Sequence, residues 1–252
     1  MNTKSRKVAI VTGAAQGLGL AIADKLLTDD MNVVFIDNND AQLNELRKSK
    51  ILKDVTEDRF MLLNIDVSDV EAIQQGVEKT MGAWGRIDVL VNNAGVRKET
   101  ALEDVTADEW NAILSINLGG TFFFSQAVLE IMKKQKQGRI INMSSFGGQA
   151  GPLTSGAHYC ASKAGQLALT KVFARSLSDY GITVNAVSPA AIETPEMEKM
   201  DPDKLENMKT GIPVKRFGKA EEVADMVSYL ASDSASYVTG ATLDINGGLL
   251  MR

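Results

Sequence analysis

The chain has 252 residues, a formal net charge of −5, one histidine and one cysteine. That charge gives no general attraction to nucleic acid or to anionic membranes, and no apolar run looks long enough to span a bilayer. One His and one Cys cannot assemble the usual metal sites or an internal disulfide, so no metal is expected, and a cytoplasmic location suits the chain.

Lys4, Arg6 and Lys7 precede the apolar run 8–11, which Gly13 and Gln16 cut short; this is a buried strand and not a signal peptide. Thr12-Gly13-Ala14-Ala15-Gln16-Gly17-Leu18-Gly19 follows, then Leu20, Ala23 and Leu27 at helical spacing. Strand, glycine turn and helix in that order suit a dinucleotide. Gly13 would allow the tight turn, Gly17 a backbone approach to a pyrophosphate, and Gly19 close packing of helix on strand. The spacing is G-x-x-x-G-x-G and not G-x-G-x-x-G, and a turn rich in glycine for backbone reasons alone is the alternative. A second strand, 32–36, ends in Asp37. A carboxylate there accepts hydrogen bonds from a ribose diol and repels a 2′-phosphate. Gln16 offers that phosphate no charge, so both residues point to NAD over NADP. Asp37 also begins a turn whose last residue, Asp40, is available to cap the next helix.

Strands are expected at 60–65, before Asp66-Val67, and at 87–91, before Asn92-Asn93-Ala94-Gly95. A helix over 110–132 carries Asn117 and the consecutive Phe122, Phe123 and Phe124, so some aromatic surface must look away from the sheet. The next strand, 138–143, leads to Ser144-Ser145. A helix over 159–178 opens with Tyr159-Cys160-Ala161-Ser162-Lys163, which puts a phenol and an ammonium on one face, one turn apart. An unperturbed tyrosine has a pKa of about 10; a neighbouring ammonium favours its phenolate. The pair suits proton exchange with the oxygen of an alcohol or ketone, and Ser145 can hold the same oxygen. An ordinary surface Tyr and Lys is the alternative for this spacing alone. Strands at 183–187 and 242–245 complete the alternation. It predicts one α/β domain over 1–252, a Rossmann fold with a doubly wound, parallel, seven-stranded sheet and helices on both faces.

With these motifs in order, from about Lys7 onward, the chain resembles the short-chain dehydrogenase/reductase family, in particular its 3-oxoacyl-carrier-protein reductase subgroup. Further segments of that likeness are Ile212-Pro213 to Gly218 and Tyr237-Val238-Thr239-Gly240. The resemblance implies a catalytic set of Asn117, Ser145, Tyr159 and Lys163. In it Tyr159 exchanges the proton, and Lys163 depresses the Tyr159 pKa and holds the nicotinamide ribose. Ser145 positions the reacting oxygen, and Asn117 holds a water linking Lys163 to solvent. It also implies cofactor contacts at Gly13, Gln16, Gly17, Leu18 and Gly19 in the loop and at Asp37. Asp66 and Val67 would meet adenine; Asn93, Ala94 and Gly95 follow the fourth strand, and Pro189, Ile192 and Thr194 the sixth.

Two positions depart from the family pattern: Pro189-Ala190 stands for Pro-Gly, and the segment between Ser145 and Tyr159 is one residue longer than in many relatives. A substrate lid is expected over 193–217, where Met197, Met200 and Met208 suit either an adaptable surface or core packing. His158 is expected to serve structure or the substrate loop, and Cys160 to be a packed thiol. Relatives pair through the helices 110–132 and 159–178, which implies a homotetramer.

The leading expectation is an NAD-dependent oxidoreductase of a secondary alcohol or ketone. The runner-up is a 3-oxoacyl-carrier-protein reductase, whose relatives usually prefer NADPH and dock an acidic carrier protein on basic residues. Lys133, Lys134, Lys136 and Arg139 are candidates for that docking, although Tyr180 stands at one usual basic position. A silent NAD(H)-binding sensor is the alternative of another class, disfavoured by the full catalytic set.

Overall fold

The computed structural model describes residues 6–151, 155–193, 197 and 201–252. Seven short strands form one sheet: β1 (Val8–Thr12), β2 (Asn32–Asp37), β3 (Phe60–Asn64), β4 (Val89–Asn92), β5 (Gly138–Met143), β6 (Ile182–Pro189) and β7 (Thr242–Ile245). Their order is β3-β2-β1-β4-β5-β6-β7, and every pair is parallel. Strands 1, 4, 5 and 6 are buried along their whole length because helices cover both faces.

Alternate residues feed two separate cores, as the strand period of two requires. Ala9, Val11, Val33, Phe35, Val91 and Met143 pack with helices α1 (Gly17–Thr28), α2 (Asp40–Arg47) and α9 (Ala220–Ala231). Ile10, Val34, Ile36, Leu90 and Ile140 pack with α3 (Val70–Trp84), α5 (Gly120–Gln135) and α7 (Ala157–Leu177). The order reverses between β1 and β4. Connections leave these neighbours on opposite faces and open a crevice at their carboxyl ends.

Helix ends follow the local chemistry. Asp69 accepts from two amides of α3, and Gly85 ends it at φ 68°. Asn39, not Asp40, caps α2: its side chain accepts from the Gln42 N–H, and Asp40 is already inside the helix. α4 (Ala107–Leu114), a π-turn at Ser115–Gly119 and α5 run on as a single helix, longer than the span expected from the sequence. This helix, Ala107–Gln135, contains a window of mean hydropathy 1.5, long and apolar enough to cross a membrane, which corrects the expectation that no segment reaches that length. Its apolar side is spent on the protein's own core: Phe124, Val128 and Met132 are fully buried. Phe122 and Phe123 are partly buried in an edge-on pair, and Phe122 also meets Phe173 of α7. The short α6 (Gly147–Ala150) and α8 (Pro202–Gly211) lie in the segments where substrate contacts were expected.

Phe124 is the largest buried side chain of α5. Phe124→Ala is expected to lower unfolding free energy by about 3–5 kcal/mol, read by urea denaturation.

Candidate active site

The loop after β1 is built for close approach at two glycines. At Gly13 (φ 63°) a Cβ would lie 2.8 Å from the Ala94 Cα; at Gly19 it would overlap the Gly13 carbonyl oxygen. Gly19 thus packs the helix against the loop and Asn93, rather than against the strand as expected. Thr12 ties this loop to the end of β4. Its hydroxyl accepts from the N–H groups of Asn93 and Ala94, both at 3.0 Å. The Asn93 amide in turn donates to the carbonyls of Thr12 and Gly13. Gln16 at the N-cap of α1 accepts no side-chain bond from the helix, and a Cβ on Gly17 would meet nothing within 4 Å. Amides left open at a helix N-terminus and free space beside them fit a pyrophosphate. Leu18 lies on the same turn, partly buried against the first core.

Asp37 ends β2, half-buried. One carboxylate oxygen accepts from the Ala15 N–H (3.0 Å), the other from the Asn39 N–H (3.1 Å). Its charge is therefore fixed at the loop's rim, where an adenosine ribose would lie. Gln16 is held by the Gln42 amide (2.7 Å). Asp66 is exposed and accepts from the Ser68 N–H and hydroxyl. Val67 is buried under Gly120, whose Cβ would come within 2.9 Å of it. This pair offers a formed turn and an apolar wall where adenine contacts were expected.

Three segments supply the catalytic set. Ser145 follows β5, Tyr159 and Lys163 lie on the first turns of α7, and Asn117 sits in the π-turn. Such single-turn bulges recur at functional sites. Gly95 lies over two of these residues: a Cβ there would be 3.2 Å from the Asn117 Oδ1 and 3.5 Å from the Lys163 Nζ. Tyr159 and Ser145 meet at Gly147, where a Cβ would be 3.6 Å from the Ser145 Oγ and 3.8 Å from the Tyr159 ring, and the Ser145 Oγ accepts from the Gly147 N–H. The Lys163 Nζ donates to the Met143 carbonyl (2.6 Å) and to the Gln166 Oε1 (3.0 Å), 5.7 Å from the centre of the Tyr159 ring.

Electrostatics differ from the sequence expectation. Burial pushes the Tyr159 phenol up; the nearby Ser145 hydroxyl and the charge of Arg97 pull it back only in part. The Lys163 ammonium is turned to the Met143 carbonyl and Gln166. Burial lowers Lys163 itself to about 8. Asn117 also departs from its expected part. Its side chain accepts from the Val96 N–H (2.8 Å) and donates to the Val96 carbonyl and to Ser162. Its carbonyl accepts from Gln166 (3.0 Å) and Thr121 (2.8 Å), so both lone pairs that a relay water would use are taken.

His158 is fully buried and bonded to Glu109 (2.8 Å), while its Nδ1 accepts from the Tyr159 N–H. Glu109 also accepts from Thr100 and Lys98; these three bonds hold its carboxyl at about 2. The cluster pins the start of α7 to α4 and to the segment after β4, a structural task. Cys160 is a half-buried thiol pushed up by burial.

Past β6, the Ala190 N–H donates to the Ile245 carbonyl, and Ala190 has no positive φ, so the missing family glycine is absorbed without strain. Ala191 takes the left-handed conformation instead (φ 53°). Pro189 offers its carbonyl to Phe146, and Ile192 bridges to Gly218. Thr194 and Met200 lie outside the described residues. Arg139 is buried, with its guanidinium on the carbonyls of Gly138 and Ser232, and Lys133 is paired with Glu130. Only Lys134 and Lys136 of the candidate docking residues are fully exposed. The residues missed from sequence are Gln166 and Thr121. Their only signals were the spacing of three from Lys163 and four from Asn117.

A parallel sheet with a glycine loop at its switch point and a Ser–Tyr pair above a buried lysine defines a nicotinamide-dependent oxidoreductase of alcohols and ketones. The chain belongs to the short-chain dehydrogenase/reductase family. The family model described as enoyl-(acyl carrier protein) reductase matches residues 13–250. A 3-oxoacyl-[acyl-carrier-protein] reductase of Thermotoga maritima is 40% identical over 245 residues, covering 97% of this chain and 98% of its own. An acetoacetyl-CoA reductase of Shinella zoogloeoides is 40% identical over 246 residues, 96% and 98% of the two chains. The crystal structure of a levodione reductase superposes with a TM-score of 0.89 at 35% identity, covering 96% of each chain.

Lys163 sets a testable pH dependence. Its folded pKa, about 8, lies below the ordinary 10.5. Between those values the unfolded chain binds the extra proton, so this residue makes stability rise with pH across that window. The stability of wild type relative to Lys163→Met should therefore climb from pH ~8 to ~10.5, by about 3 kcal/mol at most, in denaturant titrations at each pH.

Proposed function

We propose that this protein reduces the ketone of a 3-oxoacyl thioester to the secondary alcohol. The observation that carries this is the pair of hydroxyl side chains, Ser145 and Tyr159, brought together at Gly147, whose Cβ would lie 3.6 Å from the Ser145 Oγ and 3.8 Å from the Tyr159 ring. Two O–H donors converging on one point suit one carbonyl oxygen. The relatives named for 3-oxoacyl and acetoacetyl thioesters support this narrower substrate over the general alcohol dehydrogenase that the sequence put first.

Nicotinamide, when bound, supplies the hydride. Ser145 holds the ketone oxygen, and Tyr159, kept protonated at neutral pH by its burial, gives that oxygen its proton. Lys163 holds a positive charge beneath the site, with one N–H left over from its two protein bonds. Thr12 and Asn93 fix the glycine loop against β4. A substrate lid over 193–217 belongs to the same proposal, and α8 lies within that span. A homotetramer through α4–α5 and α7 is part of the same proposal, supported by the partly exposed Phe122 and Phe123 and by Val172, 61% exposed. A cytoplasmic location accords with this activity. An acyl-carrier protein is the carrier form of the substrate, with Lys134 and Lys136 its exposed basic contacts.

For the cofactor, Asp37 favours NADH. Its carboxylate is fixed by two backbone amides and has no cation among its hydrogen-bond partners. A 2′-phosphate there would meet an uncompensated negative charge. The NADPH preference usual in the reductase subgroup is accordingly not carried over.

Two experiments test this. Acetoacetyl-CoA should be reduced, and Tyr159→Phe should lower kcat by about 10²–10⁴-fold while NADH binding persists. A wild type inert toward acetoacetyl-CoA but active on a sugar or cyclic alcohol would overturn the thioester proposal. Separately, Asp37→Asn keeps the shape and removes the charge; NADPH should then bind about tenfold more tightly, by nicotinamide fluorescence at fixed salt. Tighter NADPH than NADH binding by the wild type refutes the cofactor assignment.

A further inference from the structure

Gln166 lies on α7 three residues after Lys163 and is 0% exposed. A buried amide is costly unless its polar atoms are matched, and all of them are. Its Oε1 accepts from the Lys163 Nζ at 3.0 Å. Its Nε2 donates to the Asn117 carbonyl at 3.0 Å and to the Thr121 hydroxyl at 2.7 Å. Thr121 passes its own proton to the same Asn117 carbonyl. The amide can face only one way. Lysine is a donor alone and a carbonyl an acceptor alone, so a flip would set donor against donor and acceptor against acceptor.

We infer that Gln166 is a positioning residue for the reaction: it clamps Lys163 to the backbone of Asn117 and fills the place of a relay water there, making Lys163 a fixed donor and not a proton carrier. An amide neither takes a proton from an ammonium nor gives one up at neutral pH, so the route from Lys163 toward Asn117 is closed to proton transfer. With the Met143 carbonyl and Gln166 holding two of its N–H groups, Lys163 has a single direction left for the third.

The clamp is anchored in turn. Thr170 donates to the Gln166 carbonyl and accepts from Asn142, which accepts from Asn92. Ser125 accepts from Asn92 and donates to the Thr121 carbonyl. All of these side chains are buried. Of the ionisable groups, Tyr159 on α7 itself has its ring centre 5.7 Å from the Lys163 Nζ, and Cys160 and Arg97 act on Tyr159 in turn. The π-turn, α5, α6 and β5 present Asn117, Thr121, Gly148 and Met143, none of which titrates.

The test uses two substitutions at one position that act in opposite directions. Gln166→Met keeps the length and removes the acceptor; Gln166→Glu puts a carboxylate beside the ammonium. The first readout is the titration of the Lys163 Cε signal by NMR in isotope-labelled protein, assigned with Lys163→Met. Lys163 should titrate at lower pH in Gln166→Met and at higher pH in Gln166→Glu. The second readout is kinetic. Gln166→Met should lose about tenfold or more in kcat with acetoacetyl-CoA and shift its pH profile, with NADH affinity within about twofold of wild type. Should Gln166→Met fail to fold, the upward shift in Gln166→Glu decides alone. Unmoved Lys163 titration in the folded variants overturns the inference. The kinetic readout rests on the proposed ketone reduction, whereas the titration does not. Shifted titrations with a wild type inert toward acetoacetyl-CoA would therefore uphold the clamp and sink only the proposed substrate.

Discussion

A lysine ammonium buried beneath the carboxyl edge of the sheet has to be solvated by the protein, because the interior offers little else to stabilise charge. Much of the site follows from that constraint. β5 ends where its Met143 carbonyl can accept from Lys163. α7 must start close enough to bring Gln166 to the same nitrogen. The π-turn exists where Asn117 must face two ways, its side chain toward Val96 and its carbonyl toward α7. Gly95 leaves room for Asn117 and Lys163, since a Cβ there would press on the Asn117 Oδ1 at 3.2 Å. Burial also lowers the affinity of Lys163 for its proton. The residue thus brings a positive charge into the site at a cost to folding.

The second anchor is at the switch point. Thr12 and Gly13 after β1 accept four hydrogen bonds from Asn93 and Ala94 past β4, across the gap where strand order reverses. They hold the glycine loop and the Asn93–Gly95 turn as one rigid body. Since Gly95 of that turn lies against Asn117 and Lys163, the same bonds help to set the distance between a pyrophosphate site and the catalytic set. Precise positioning of that kind carries much of an enzyme's rate advantage.

Most of the fold was legible because strand and helix periods are local. Residues 8–11, 33–36 and 140–143 are runs that only a sheet covered on both sides would bury, and each became such a strand. The glycine loop could be placed because a strand precedes it and an amphipathic helix follows. Less was legible in the site. The pairing of Tyr159 with Lys163 on one helix turn followed from spacing, but which way the lysine points did not. Asn39 displaced Asp40 as the cap of α2, and α4 and α5 merged through a π-turn, because backbone hydrogen bonding at such junctions is settled by what packs above them.

The sequence by itself determined the alternation of strands and helices, the glycine turn, the acid after β2 and the Ser–Tyr–Lys spacing, all of which rest on interactions within a few residues. Only the tertiary structure decided that Gln166 reaches the carbonyl of Asn117, that Thr121 joins it, and that His158 is held by Glu109. Those partners lie 49, 45 and 49 residues apart. Buried polar groups must find partners wherever the fold brings them, and no local pattern encodes which distant atom that will be.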